Sequence, residues 1–124
     1  MVNNPAIIKP RNRELVIMAV ISVTKTPLIN HCHRKLAAAE GFSAEQYDQG
    51  ISGRTPSGLS EEEVVVYELS RQLTVLNGPL DEASWEKARS KLEKKDIVTI
   101  VHVVTSYRWI SLLDMVNADS SWSQ

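Results

Sequence analysis

Apolar and polar positions along the chain divide it into six segments with helical patterning, which begin near residues 11, 28, 43, 60, 82 and 96. The second segment, residues 28–40, follows Pro27 at the first-turn position that proline tolerates and precedes Gly41, a residue typical just beyond a helix. Ser43 with Gln46 has the spacing of a capping box, and a box of the same spacing opens the fourth segment. Most helix ends are therefore predicted by local residues alone.

For two segments the sequence pattern is compatible with either a helix or a strand. Residues 15–23 and 97–104 are continuous apolar runs rich in Val and Ile, which are also typical of buried strands. Propensity alone would allow an α/β protein with two central strands. The other possibility is an all-α domain of about six helices over residues 11–118, between an irregular arm (1–10) and a C-terminal tail (119–124).

The composition is that of a globular domain with almost no net charge. The 124 residues suffice for one domain, and 14 basic against 15 acidic side chains leave a net charge of −1. No apolar run approaches the roughly 18 residues of a membrane span, and Glu14 interrupts the run that could resemble a signal peptide. We therefore expect a soluble, cytoplasmic protein with neither nucleic-acid nor membrane partners.

Cysteine chemistry is limited because Cys32 is the only cysteine. A single cysteine cannot form an intramolecular disulfide, a CxxC redox pair or a cysteine-based zinc site. On a helical wheel, one face of the second segment carries its apolar residues: Leu28, Ile29, Cys32, Leu36 and Ala39. We therefore expect Cys32 to be a small buried residue that lacks an activating base.

Five motifs in a fixed order resemble carboxymuconolactone decarboxylase-like proteins over about residues 11–118. The motifs are Arg13-Glu14-Leu15; His33, Ala37 and Gly41 followed by Phe42-Ser43; Leu59-Ser60-Glu61-Glu62-Glu63; Leu80-Asp81 through Trp85; and Ile97 to Tyr107 followed by Asn117-Ala118. The resemblance implies an all-α fold and a homo-oligomer, a trimer or hexamer, in which both apolar runs are helices buried between subunits.

The chain also departs from that family's patterns. Decarboxylase-type members carry a glutamate one turn before the helix histidine, where this chain has Ile29, so the expected acidic partner of His33 is missing from that helix. The peroxidase-type CxxC pair is absent too, which excludes dithiol peroxidase chemistry. Near the C-terminus, Thr99 replaces a family glutamate and Ser106 replaces a family aromatic.

Three histidines are the candidate acid/base groups. The resemblance places His33 at the family's active-site histidine, and imidazole is the side chain best suited to acid/base work near neutral pH. His31 lies nearly opposite it, because residues two apart on a helix do not face each other. We expect His33 to act with His102 or His31, from the same or a neighbouring subunit, and Ile29 to contact the substrate. The alternative is a structural, hydrogen-bonded histidine.

The last helix carries one polar stripe among apolar residues. Thr99, His102 and Ser106 fall at positions i, i+3 and i+7, and polar groups in a buried helix need partners or water. We expect the stripe, with Tyr107 and Trp109 nearby, to line a mostly apolar substrate pocket. A hydrogen-bonded core or interface network is the alternative.

The reaction implied by the resemblance needs neither metal nor cofactor. Carbon dioxide leaves a carboxylated lactone, and histidine protonates the resulting enolate. The expected function is thus a cofactor-independent lyase, a decarboxylase of a cyclic or polyketide-like biosynthetic acid or lactone. The alternatives are an isomerase, dehydratase or cyclase acting on an enolisable intermediate, and a non-catalytic oligomeric binding protein.

Overall fold

In the computed structural model, which describes residues 7–117, the chain forms six α-helices and no strand. The helices are α1 (Pro10–Thr24), α2 (Pro27–Ala39), α3 (Ala44–Ile51), α4 (Glu61–Thr74), α5 (Glu82–Arg89) and α6 (Lys94–Val116). The all-α prediction is confirmed, and both Val- and Ile-rich runs are helical. Predictions for residues 1–6 and 118–124, most of the arm and the whole tail, lie outside the described residues.

Local capping explains where most helices begin. The Ser43–Gln46 and Ser60–Glu63 capping boxes are both formed, and Pro27 lies in the first turn of α2. Helix α6 begins at Lys94 instead of near residue 96, because a third capping box, in which Asp96 accepts from the Glu93 backbone N–H, starts it there.

Helix α1 is the centre of the fold, packed by α2, α3, α4 and α6. Its residues 14–22 are all buried within the protomer. The expectation that this run is buried between subunits is therefore wrong for α1, because neighbouring helices of the same chain already cover it. A helix surrounded on all sides needs no polar face, which accounts for its strand-like sequence.

Ionic contacts join the start of α1 to the start of α4. Lys9 Nζ lies 2.9 Å from Glu62 Oε2, and Asn12 donates to the same oxygen at 3.0 Å. Arg11 Nε lies 2.7 Å from Glu63 Oε2, and its guanidinium also donates to the Glu40 carbonyl at 2.9 Å. Arg11 thereby ties the end of α2 to the α1–α4 pair.

The pairing of Glu62 predicts acid-sensitive stability. Hydrogen bonds from Lys9 and then Asn12 lower the pKa of Glu62 from its usual 4.5. A lowered carboxyl pKa stabilises the fold above the unfolded-state value and ceases to do so as the pH falls through the folded-state value. Urea denaturation should therefore show wild type more stable than Glu62→Gln at neutral pH, with the difference vanishing below pH 4.5. A difference that persists unchanged at lower pH would contradict this.

Gly50 on α3 is needed for close packing against α1. A Cβ added there would lie 2.6 Å from Met18 Sδ and 3.1 Å from Met18 Cβ, and Met18 is fully buried. We expect the overpacking in Gly50→Ala to outweigh the roughly 1 kcal/mol gained in helix propensity, for a net loss of about 1 kcal/mol or more.

Gly78 supplies the matched control, since a Cβ there meets nothing within 4 Å. Gly78→Ala should change the free energy of unfolding by only a few tenths of a kcal/mol. Equal effects of the two substitutions in urea denaturation would show that α3 does not pack on α1 as described.

Candidate functional site

A buried carboxylate on α1 organises the candidate site. The side chain of Glu14 is 1% exposed, and its two oxygens bind different partners. Arg13 Nε donates to Oε2 at 2.9 Å, and His33 Nδ1 lies 2.9 Å from Oε1. A buried carboxylate needs such partners to remain ionised.

His33 reaches Glu14 from the buried stripe of α2. That stripe consists of Ile29, His33 and Ala37, one helical turn apart, and only Ile29 and Ala37 of α2 are fully buried. The His33 side chain is 12% exposed. Because Nδ1 is held by Glu14, Nε2 is the ring nitrogen left for a reacting molecule.

The predicted packing face of α2 is wrong. Cys32 is exposed and Leu36 is 46% exposed, although both were expected in the core. Helix α2 buries a single narrow stripe against α1, and that stripe passes through His33 instead of Cys32. The helical wheel alone could not choose between adjacent stripes, since both contain apolar residues.

Tyr107 on α6 completes the cluster. Its ring meets the His33 ring edge-on, with centroids 5.4 Å apart and planes at 87°. Burial, and then the charge of Glu14, raise the pKa of Tyr107 above its usual value, so its hydroxyl stays protonated at neutral pH. The cluster therefore joins three helices, α1, α2 and α6, and contains a carboxylate, an imidazole and a phenol.

The other candidate residues lie elsewhere on the protomer. His31 and His102 are exposed, and Trp109 is 63% exposed. Thr99 donates to the Lys95 carbonyl and Ser106 to the His102 carbonyl, both at 2.9 Å, so these hydroxyls bind their own helix. The stripe of Thr99, His102 and Ser106 lies roughly 80 to 140° around α6 from Tyr107.

Thr99 borders an opening whose lining does not include His33. The opening, of about 540 Å³, is lined by residues that include Ile8, Asn12, Glu62, Leu92, Thr99 and Ile100. Of its polar groups, Lys9, Asn12 and Glu62 already serve the α1–α4 contacts described above. Within the protomer, the three histidines therefore do not line one closed cavity.

Sequence reasoning missed Glu14 as the partner of His33. Glu14 is the one ionisable residue in the buried stretch from Glu14 to Ser22, and an acidic side chain inside such a stretch is seldom buried without a partner. That pattern was a usable signal. The resemblance instead places the acidic partner one turn before His33 on the same helix, where this chain has Ile29.

The described residues 7–117 bring together no group of three His, Cys, Asp or Glu side chains able to hold a metal ion. None of the helices described is both long and apolar enough to cross a membrane. In comparisons with known proteins, no family model, no curated protein and no solved structure matched the chain.

Proposed function

We propose that the chain is a cofactor-independent lyase of the carboxymuconolactone decarboxylase-like kind, which decarboxylates a cyclic or polyketide-like carboxylic acid or lactone. The observation that carries the proposal is the 2.9 Å contact between His33 Nδ1 and the buried Glu14 carboxylate. A carboxylate that fixes one imidazole nitrogen orients the other for proton transfer, as in catalytic triads.

The proposed reaction uses the cluster as a proton donor. The carbon–carboxylate bond of the substrate breaks, carbon dioxide leaves, and the bonding electrons form an enolate. His33 transfers the Nε2 proton to the enolate carbon and regains a proton from water. Glu14, bridging Arg13 and His33, stabilises the imidazolium before transfer. The protonated hydroxyl of Tyr107, whose ring contacts the His33 ring, would donate to the developing oxyanion.

The same groups would also serve proton movement without loss of carbon dioxide. If the proton is removed from one carbon and returned to another, the reaction is an isomerisation. If the enolate expels a hydroxyl group as water, it is a dehydration, and if the enolate carbon attacks an electrophilic carbon of the same molecule, it is a cyclisation. These reactions remain the chemical alternatives, and they predict a product of unchanged carbon count.

A non-catalytic oligomeric binding protein is the second candidate. It is favoured by the exposure of His31 and His102, and by the absence of a closed cavity shared with His33 in the described protomer. In that case the Glu14–His33 pair would only fasten α2 to α1.

The proposal is tested by carbon dioxide release. Purified protein should be incubated with carboxylated lactones and cyclic β-keto acids, with product mass measured in parallel. Saturable release of carbon dioxide supports the lyase, and conversion at unchanged carbon count supports the alternative chemistry. No turnover of any compound, with a well-folded protein, supports the binding protein.

A further inference from the structure

One side of α6 is exposed along its whole length and is mostly apolar. We call this side the α6 seam; its residues are Val98, His102, Thr105, Trp109, Leu112 and Val116. The exposed fraction rises from 48% at Val98 through 63% at Trp109 and Leu112 to 78% at Val116. Arg108, the sole charged residue between Ile97 and Leu113, donates to the Thr74 carbonyl and lies off the seam.

The exposed apolar area of the α6 seam is large for the surface of a monomeric protein. With the flanking Val101, Leu113 and Met115, the seam offers on the order of 600 to 800 Å² of apolar surface, at or above the largest patch of a typical monomer. One partner in a standard protein interface buries about 800 Å². The seam therefore offers roughly the area that one stable interface requires.

The spacing of the seam indicates that its partner is a helix. Its positions are separated alternately by four and three residues, the 3.5-residue period of a coiled-coil seam. The seam is also nearly uncharged, so it presents no pattern that would select a charged partner. A second copy of α6 has the matching length, period and lack of charge.

The side chains of the seam fit each other in the antiparallel direction. When two copies are related by a two-fold axis at residue 107, Val98 faces Val116 of the second copy, His102 faces Leu112, and Thr105 faces Trp109. A groove of about 570 Å³ lies beside Thr105 and is lined also by Leu73, Arg108 and the chain's own Trp109; it would accept the Trp109 indole of the second copy. A parallel pair would instead oppose Trp109 to Trp109 and Thr105 to Thr105, leaving one layer overfilled and the next underfilled.

We propose that two copies of this chain pair through antiparallel α6 seams, with Trp109 of each copy inserted beside Thr105 of the other. The contact is isologous and closed, so it builds a dimer, or a hexamer when combined with a three-fold contact, but not a trimer. It goes beyond the proposed function and does not depend on catalysis, since its tests measure only mass and cross-linking. It also places His102 at the interface.

Sedimentation tests the pairing. Wild type should sediment as a dimer or a larger even-numbered assembly at micromolar concentration, and Trp109→Asp should weaken association at least about thirtyfold, because a central Trp dominates such interfaces. Val75→Asp is the matched control, since Val75 is 59% exposed but lies at the end of α4, and it should associate as wild type does. A monomeric wild type, or an assembly that Trp109→Asp leaves intact, would overturn the proposal.

Cross-linking tests the direction. In a Cys32→Ser background, Val98→Cys and Val116→Cys proteins should form disulfide-linked dimers when mixed but not when oxidised separately, because residues 98 and 116 lie about 27 Å apart along one helix. Cross-linking of each protein alone would indicate parallel seams and overturn the arrangement. Binding of monomers to neutral lipid vesicles, with no cross-link in the mixture, would identify a different occupant and overturn it as well.

Discussion

His33→Ala should lower the turnover number by at least about 10², because a positioned acid/base group contributes about 10² to 10⁴ in rate. The variant removes the imidazole that Glu14 holds and that packs against Tyr107. The folded state should survive the change, since His33 lies at the partly exposed edge of the core, and the free energy of unfolding should fall by no more than a few kcal/mol. The measurement is steady-state release of carbon dioxide, with circular dichroism and sedimentation as checks of folding and assembly.

His31→Ala is the matched control for that prediction. His31 lies on the same helix two residues away, but it is exposed and points away from the Glu14 cluster. It should keep a turnover number close to that of wild type. If His33→Ala also turns over at a near-wild-type rate while folded, the histidine mechanism is wrong, and pocket shape acting on a reactive substrate becomes the better account.

Glu14→Ala should lower the free energy of unfolding by about 3 to 5 kcal/mol, which is typical when one member of a buried charge pair is removed. The substitution leaves Arg13 and His33 without their shared acceptor and opens a cavity beside α2. Urea denaturation would measure the loss. Glu61→Ala is the control, because Glu61 is an exposed glutamate in a surface ion pair, and its unfolding midpoint should stay close to that of wild type.

Glu14→Gln separates the structural from the catalytic role of that side chain. Glutamine has nearly the same size, and its one amide oxygen can still accept from His33 Nδ1–H, but its NH2 group cannot accept from Arg13. The loss of stability should therefore be smaller than that of Glu14→Ala. It carries no charge to stabilise an imidazolium, so turnover should fall well below that of wild type. Normal turnover in folded Glu14→Gln would mean that Glu14 only fastens α2 to α1.

The helix ends were predictable because their causes are local. The Ser43–Gln46 box and Pro27 act within one turn of the chain, and the structure starts α3 directly after Ser43 and α2 at Pro27. The start of α6 at Lys94, two residues before the predicted position, has the same kind of local cause, the Glu93–Asp96 box.

The candidate site depends on tertiary packing, which local patterns do not specify. Glu14 and His33 are 19 residues apart and meet only because α2 packs on α1. The same packing decides that the stripe through Ile29 is buried while Cys32 faces outward. Periodicity could propose both stripes of α2 but could not say which one α1 would cover.

The expectation that both apolar helices are buried between subunits is wrong for α1. Both α1 and α6 read as apolar on nearly all sides, and both were expected between subunits. The structure buries residues 14–22 of α1 within the protomer and leaves one side of α6 exposed. The sequence shows that both helices are strongly apolar. The packing of the helices determines that α1 is central and that α6 keeps one exposed side.

The most direct test of the central claim, that His33 held by Glu14 delivers the proton, is the position of deuterium in product formed in heavy water. Wild type should place one deuterium on a single face of the carbon that lost its carboxylate, because the donor approaches from one direction. The residual product of His33→Ala should be a mixture of molecules that carry the one deuterium on either face, since heavy water then supplies it from both sides. Single-face deuteration that persists unchanged in folded His33→Ala would contradict the account.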